Sequence, residues 1–140
     1  TASTNSVLYF ALLPYGLNDA AVQKKFLGEA TIDNKVYYKI EISFRQEGGG
    51  EDFQDMFNYW VNKEDFSIGY LSYSFSESDE ISSRFRKAYN PRRIENILFL
   101  DYINYKPKDK SAPFDQLEDL YAQGALEELS KIELQNISVK

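Results

Sequence analysis

The sequence predicts an α+β domain: a curved antiparallel meander sheet of six or seven strands with short helices on its concave face. Three observations predict it. Hydrophobicity alternates with a period of two over most of residues 27–106. The stretches so marked follow one another through connections shorter than the crossover of about a dozen residues that parallel pairing requires. The strongest helical pattern stands alone near the C-terminus, from Asp115 to Leu129.

Each element follows from local residue chemistry. Asn5 to Leu13 is apolar almost all round and stops at Pro14 and Gly16, so it reads as a short buried helix or a buried strand, with the helix preferred. Asn18 or Asp19 can cap a second short helix running to about Lys25. Gly28 to Ile32, the turn Asp33-Asn34 and Lys35 to Arg45 form a β-hairpin, because Asp and Asn tolerate the positive φ of a two-residue turn. Gln46 to Asp52, with three consecutive glycines, is a flexible loop, and Phe53 to Val61 is the next strand. Asn62 to Asp65 is a turn, Phe66 to Phe75 a strand, and the Ser-rich acidic stretch Ser76 to Ser83 a solvated loop. Arg84 to Tyr89 is a strand broken by Asn90-Pro91, and Ile97 to Lys106 is a strand closed by Pro107. In the C-terminal helical segment, Asp115 and Glu118 have capping-box spacing and Gly124 stands where a C′ glycine belongs. Ala125 to Leu129 reads as one more helical turn, and Lys131 to Val139 as a final strand.

Composition bounds what such a sheet can do. At 140 residues and 43% hydrophobic the chain fits a single domain, residues 1–140, with no second full core. It has no His and no Cys, which excludes Ser-His and Cys-His nucleophile pairs, redox thiols and the usual zinc sites; no metal and no cofactor is expected. A net charge of −6 argues against nucleic acid, whose phosphates need a basic surface. The longest apolar run, Val7 to Leu13, has seven residues against the roughly 20 of a bilayer-spanning helix, so none is expected.

The sheet's own pattern carries the functional expectation. A sheet with one wet face alternates cleanly, and several of these strands do not. Phe57 and Tyr59 alternate with Trp60, Tyr70 with Tyr73, and Phe99 with Tyr102, so both faces must be at least partly covered. Helix is scarce. A curved sheet meets this by wrapping round a helix and leaving a Tyr-lined hollow open to an apolar ligand. The alternative is that both faces are filled, one by the helices and the other by a missing segment or a partner subunit.

Three charged constellations add little chemistry of their own. Glu47, Glu51, Asp52 and Asp55 surround the glycine run, but their spacing matches no calcium loop, and a solvated hairpin tip is expected. Arg84, Arg86, Lys87, Arg92 and Arg93 put five cations in ten residues, suited either to an acidic head-group or to pairing with Glu77, Asp79, Glu80 and the cross-strand Asp101. Glu41, Asp55 and Asp101 sit within strands and are the candidates for an acid-base pair, although no catalytic motif accompanies them.

At Asn5 to Val7, Leu13 to Val22 and Glu47 to Phe53 the chain resembles an uncharacterised family of secreted lipoproteins of gram-negative bacteria, a domain of unknown function. The likeness continues at Tyr59-Trp60, Tyr70 to Tyr73, Arg84 to Arg92, Phe99 to Tyr105 and Leu126 to Leu134. The resemblance implies the C-terminal part of a longer protein of the periplasm or outer membrane, held to a membrane by an N-terminal lipid anchor. More distantly, aromatic strands with interposed helices are similar to the LolA/LolB lipoprotein-carrier superfamily. That likeness implies a half-barrel and the holding of acyl chains without catalysis.

The expected function is therefore a non-enzymatic cell-envelope protein binding a hydrophobic ligand such as a lipid or a lipoprotein acyl chain. The alternative is a structural or protein-interaction module docking on a missing N-terminal segment or a partner subunit. The ligand-lining candidates are Tyr38, Ile40, Phe57, Tyr59, Trp60, Tyr70, Tyr73, Phe99 and Tyr102, and either parity can face inward. Their contribution is apolar area worth ~25 cal/mol per Å2 buried, with phenols free to orient a polar head.

Overall fold

A computed structural model describes residues 22–44, 56–77 and 79–140. The expectations for Asn5 to Leu13, for the cap at Asn18 or Asp19, for the glycine loop and for Phe53 to Asp55 lie outside these residues. The described chain forms one open seven-stranded antiparallel sheet in which every strand pairs with its neighbour in sequence. In order these are β1 (Val22–Ile32), β2 (Lys35–Phe44), β3 (Met56–Asn62), β4 (Ile68–Glu77), β5 (Glu80–Ile94), β6 (Ile97–Pro107) and β7 (Leu126–Ile132). A 3-10 turn at Phe114–Gln116 and the short helix α1 (Leu117–Ala122) connect β6 to β7. Among the described residues no helix is long and apolar enough to cross a membrane.

The turns do what their residues allow. Asp33 and Asn34, at φ 50° and 65°, form the two-residue turn between β1 and β2 that the sequence predicts. Glu95 and Asn96, at 51° and 65°, repeat it between β5 and β6. Register shifts interrupt four of the strand pairs, β1–β2, β3–β4, β5–β6 and β6–β7. In β4 the pairing moves from Trp60 opposite Tyr70 to Val61 opposite Ile68, leaving Gly69 as the extra residue. A Cβ at Gly69 would stand 2.5 Å from Cε1 of Tyr37, so glycine there lets that ring lie against the backbone.

Several expected boundaries are corrected. Val22 to Lys25 is strand, not the end of a helix, because β1 pairs with β2 from Val22 opposite Phe44 onward, and ladder formation outweighs the helix propensity of Lys and Gln. Ser76, Glu77 and Glu80 to Ser83 are strand, not loop: Phe75 faces Ser82 and Ser76 faces Ile81, so these polar, Ser-rich residues have the composition of a loop but the pairing of strands; Ser78 lies outside the described residues. Asn90-Pro91 does not end β5. The pairing passes from Tyr89 opposite Asp101 to Arg92 opposite Phe99, which places Asn90 (φ 51°) and Pro91 in a bulge where no ladder hydrogen bond is lost.

The helical segment is shorter than expected. Asp115 and Glu118 form no capping box, since no side chain caps α1, and Glu118 turns towards the sheet instead. Gly124 (φ 70°) ends the helix as its C′ position predicts. Leu126 to Leu129 is strand rather than a further helical turn, and β7 stops at Ile132, so the strand expected to Val139 is displaced towards the N-terminus. Pairing of Leu126 with Pro107 and of Ile132 with Tyr102 explains the displacement.

Two clusters of buried side chains occupy opposite faces of the sheet. The first joins Ile32, Tyr37, Trp60, Tyr70 and Phe85 to Leu117 and Leu126, with Phe114, Leu120 and Tyr121 against them. The second joins Ile42, Tyr59, Ile68, Leu71 and Tyr102, with Ile40, Phe44, Phe57, Tyr73 and Leu100 around it.

Candidate functional site

Strand parity and register divide the nine predicted ligand-lining residues. Trp60 and Tyr70 point to the face that carries α1, and Phe99 shares the parity of Tyr105 on that side. Tyr38, Ile40, Phe57, Tyr59, Tyr73 and Tyr102 point to the other face.

On the helix side the volume between sheet and α1 is filled by rings. Phe85 is the hub, 5.4 Å from Trp60, 5.6 Å from Tyr70 and 5.0 Å from Tyr121 between ring centroids. Trp60 is 1% exposed and donates its indole N–H to Glu118 at 2.6 Å, and Lys39 lies 5.1 Å above the indole and 3.6 Å from Glu118. At the margin Asp33 accepts from the hydroxyls of Tyr70 and Tyr121 and from the Lys87 ammonium. Burial raises the Asp33 carboxyl, but these three donors together hold it below its usual value. Burial, then the bond to Asp33, pushes the Tyr70 phenol far up, which suits a donor that stays protonated and not a base. This group ties the first turn to β4, β5 and α1. Next to it Asn58 Oδ1 and Ser72 Oγ, both buried, have no hydrogen-bond partner among the described residues.

Asp101 forms a second polar knot at the β5 bulge. Only 3% exposed, it accepts from the Asn90 side chain (2.8 Å), Arg92 (3.0 Å) and the Leu134 backbone N–H (2.9 Å). Burial alone would raise its carboxyl; the donors outweigh burial and lower it. Arg92 also donates to the Leu134 carbonyl at 2.7 Å, so the knot fastens the chain beyond β7 to the sheet. Glu41, the other described member of the predicted carboxylate set, lies on β2, four strand spacings or roughly 19 Å from β6. Asp55, like Glu47, Glu51 and Asp52, lies outside the described residues.

The opposite face is an aromatic surface of graded exposure. Ile42, Tyr59 and Leu71 are at most 1% exposed. Around them Phe57 is half-buried and lies 5.9 Å from Phe44, 6.4 Å from Tyr59 and 5.9 Å from Tyr73. Tyr73 continues to Phe75 at 5.8 Å. Cross-strand register explains the row: Ile42 faces Phe57, Phe57 faces Tyr73, and Tyr73 faces Arg84. Burial pushes the Tyr102 phenol up to about 12.

The five-cation run is sorted by its strand. Lys87 bonds Asp33, Arg92 bonds Asp101 and Arg93 donates to the Asn96 carbonyl. Arg84 and Arg86 reach the aromatic face instead. Arg84 lies 5.1 Å over Phe75, and Arg86 lies 4.8 Å over Tyr73 while donating to its hydroxyl at 2.7 Å. Burial lowers the Arg86 guanidinium, offset in part by Tyr73. Sequence reasoning missed this pairing of arginines with rings because reading residues 76–83 as a loop removed the register between β4 and β5. The pairing of Glu77 with Glu80 restores it.

The pattern of a "Family of unknown function (DUF6503)" matches residues 1–134. The chain belongs to that family. No curated protein and no solved structure matches it. For this DUF6503 chain the arrangement itself states the chemistry on offer: one sheet face closed by a helix, and one aromatic face bordered by guanidinium groups.

Proposed function

We propose that this protein is a non-enzymatic binder of an apolar ligand, such as a lipid or a lipoprotein acyl chain, in the periplasm or at the outer membrane. The observation that carries the reading is the gathering of Tyr38, Ile40, Phe57, Tyr59, Tyr73 and Tyr102 on the face that α1 does not occupy. Half-buried rings give an alkyl chain apolar area to cover at ~25 cal/mol per Å2, and their hydroxyls leave a route for a polar head. An open antiparallel meander with a helix on one side shares the outline of the LolA/LolB half-barrel, but the surface proposed for the ligand is the one away from the helix, not the helix-bearing hollow that likeness implies.

Purified protein examined by native mass spectrometry and organic extraction is expected to carry a small apolar molecule. After stripping, it is expected to take up dodecanol. Stripped, folded protein that takes up none contradicts the reading. A second reading, docking on a protein partner, is favoured by the edge strand β1, where Phe26 is 63% and Leu27 40% exposed. It predicts a stripped protein that ignores dodecanol but loses dimer or complex when Phe26 is replaced by Ser.

A further inference from the structure

Resting on the binding reading above, we infer that the ligand of the aromatic face is anionic: a long-chain carboxylate whose head meets Arg84 beside Arg86 while its chain lies over Tyr73 and Phe57. The charge is placed for this. Arg84 and Arg86 alternate on β5 and so share one face, roughly 7 Å apart along the strand. Each lies over a ring of β4; Arg86 spends donors on the Tyr73 hydroxyl and the Asn104 side chain, whereas Arg84 donates to the Ser83 carbonyl, so Arg84 is the fork offered to a planar two-oxygen acceptor. Arg84 meets the Ser83 carbonyl and the Phe75 ring, and no described carboxylate bridges it, although the chain as a whole carries a net charge of −6. The other three cations of the run are taken up by Asp33, Asp101 and the Asn96 carbonyl. The row Phe57, Tyr73, Arg84 therefore runs from apolar to cationic across two adjacent strand pairs, the polarity profile of a fatty acid laid across the sheet.

The test compares laurate, dodecanol and dodecyltrimethylammonium, equal in chain length and below their micelle concentrations, by calorimetric titration of the stripped protein at pH 8. Laurate is expected to bind about tenfold tighter than dodecanol, and the cation weakest. The advantage is expected to vanish in Arg84→Gln, survive in part in Arg84→Lys, and shrink in 1 M salt with the unaltered protein, an arm that depends on no variant folding. Equal affinity for laurate and dodecanol overturns the anionic head while leaving the apolar binder intact. Binding of neither overturns both.

Discussion

On the helix side of the sheet Trp60, Tyr70 and Phe85 are closed off by α1 and by Leu126, and their polar atoms are committed: the indole to Glu118, the phenol to Asp33. On the other side Phe57 and Tyr73 are only half-buried, and the polar groups beside them are guanidinium forks lying on rings. The same strands supply both surfaces. The difference teaches that aromatic content in a sheet is of two kinds. Rings fixed by a helix and by hydrogen bonds hold the fold, and rings graded from buried to half-buried beside guanidinium groups are the ones offered to a ligand.

The sharpest way to break that comparison is to empty the sealed side. Phe85→Ala removes a ring that is 0% exposed and touches Trp60, Tyr70 and Tyr121. A loss of about 3 to 5 kcal/mol in urea unfolding is expected. A loss below 1 kcal/mol on that scale would mean the helix side is not the structural core.

Asp101 tests the polar half of the same claim. Asp101→Ala leaves Arg92, Asn90 and the Leu134 N–H without their acceptor, and about 3 kcal/mol is expected to go. The pH dependence has a fixed sign. Because the folded carboxyl titrates below the ordinary value of 3.8, its stabilisation is complete above that value and disappears as pH falls through the lower, folded one. Urea midpoints between pH 6 and 3 are expected to drop more steeply for the unaltered protein than for Asp101→Ala.

The smallest stability effect belongs to the accessible face. Phe57→Leu keeps an apolar side chain at a half-buried site and is expected to cost less than about 1.5 kcal/mol, while weakening dodecanol binding several-fold. A large loss of stability with unchanged binding would reverse the roles assigned to the two faces.

Much of this was legible in the chain. Period-two alternation in residues 35–44, the Asp33-Asn34 turn and the short connections were enough for an antiparallel meander of six or seven strands, because each rests on local rules. Non-local choices were not. Glu118 has the spacing of a capping box, but the indole of Trp60, 58 residues away, takes it. Gly69 shifts parity by one residue, so that Ile68 and Leu71 share a face and Tyr70 turns to the other, and nothing in the alternation announces a bulge. The division of the nine candidates between two faces therefore needed the register.

The division is tested most directly by methyl NMR of the isoleucines and leucines during titration with laurate. Ile40, Ile42, Leu71 and Leu100 on the aromatic face are expected to shift, with Leu117, Leu120 and Leu126 beneath α1 unmoved. Shifts confined to the second set would place the ligand between helix and sheet and contradict the account.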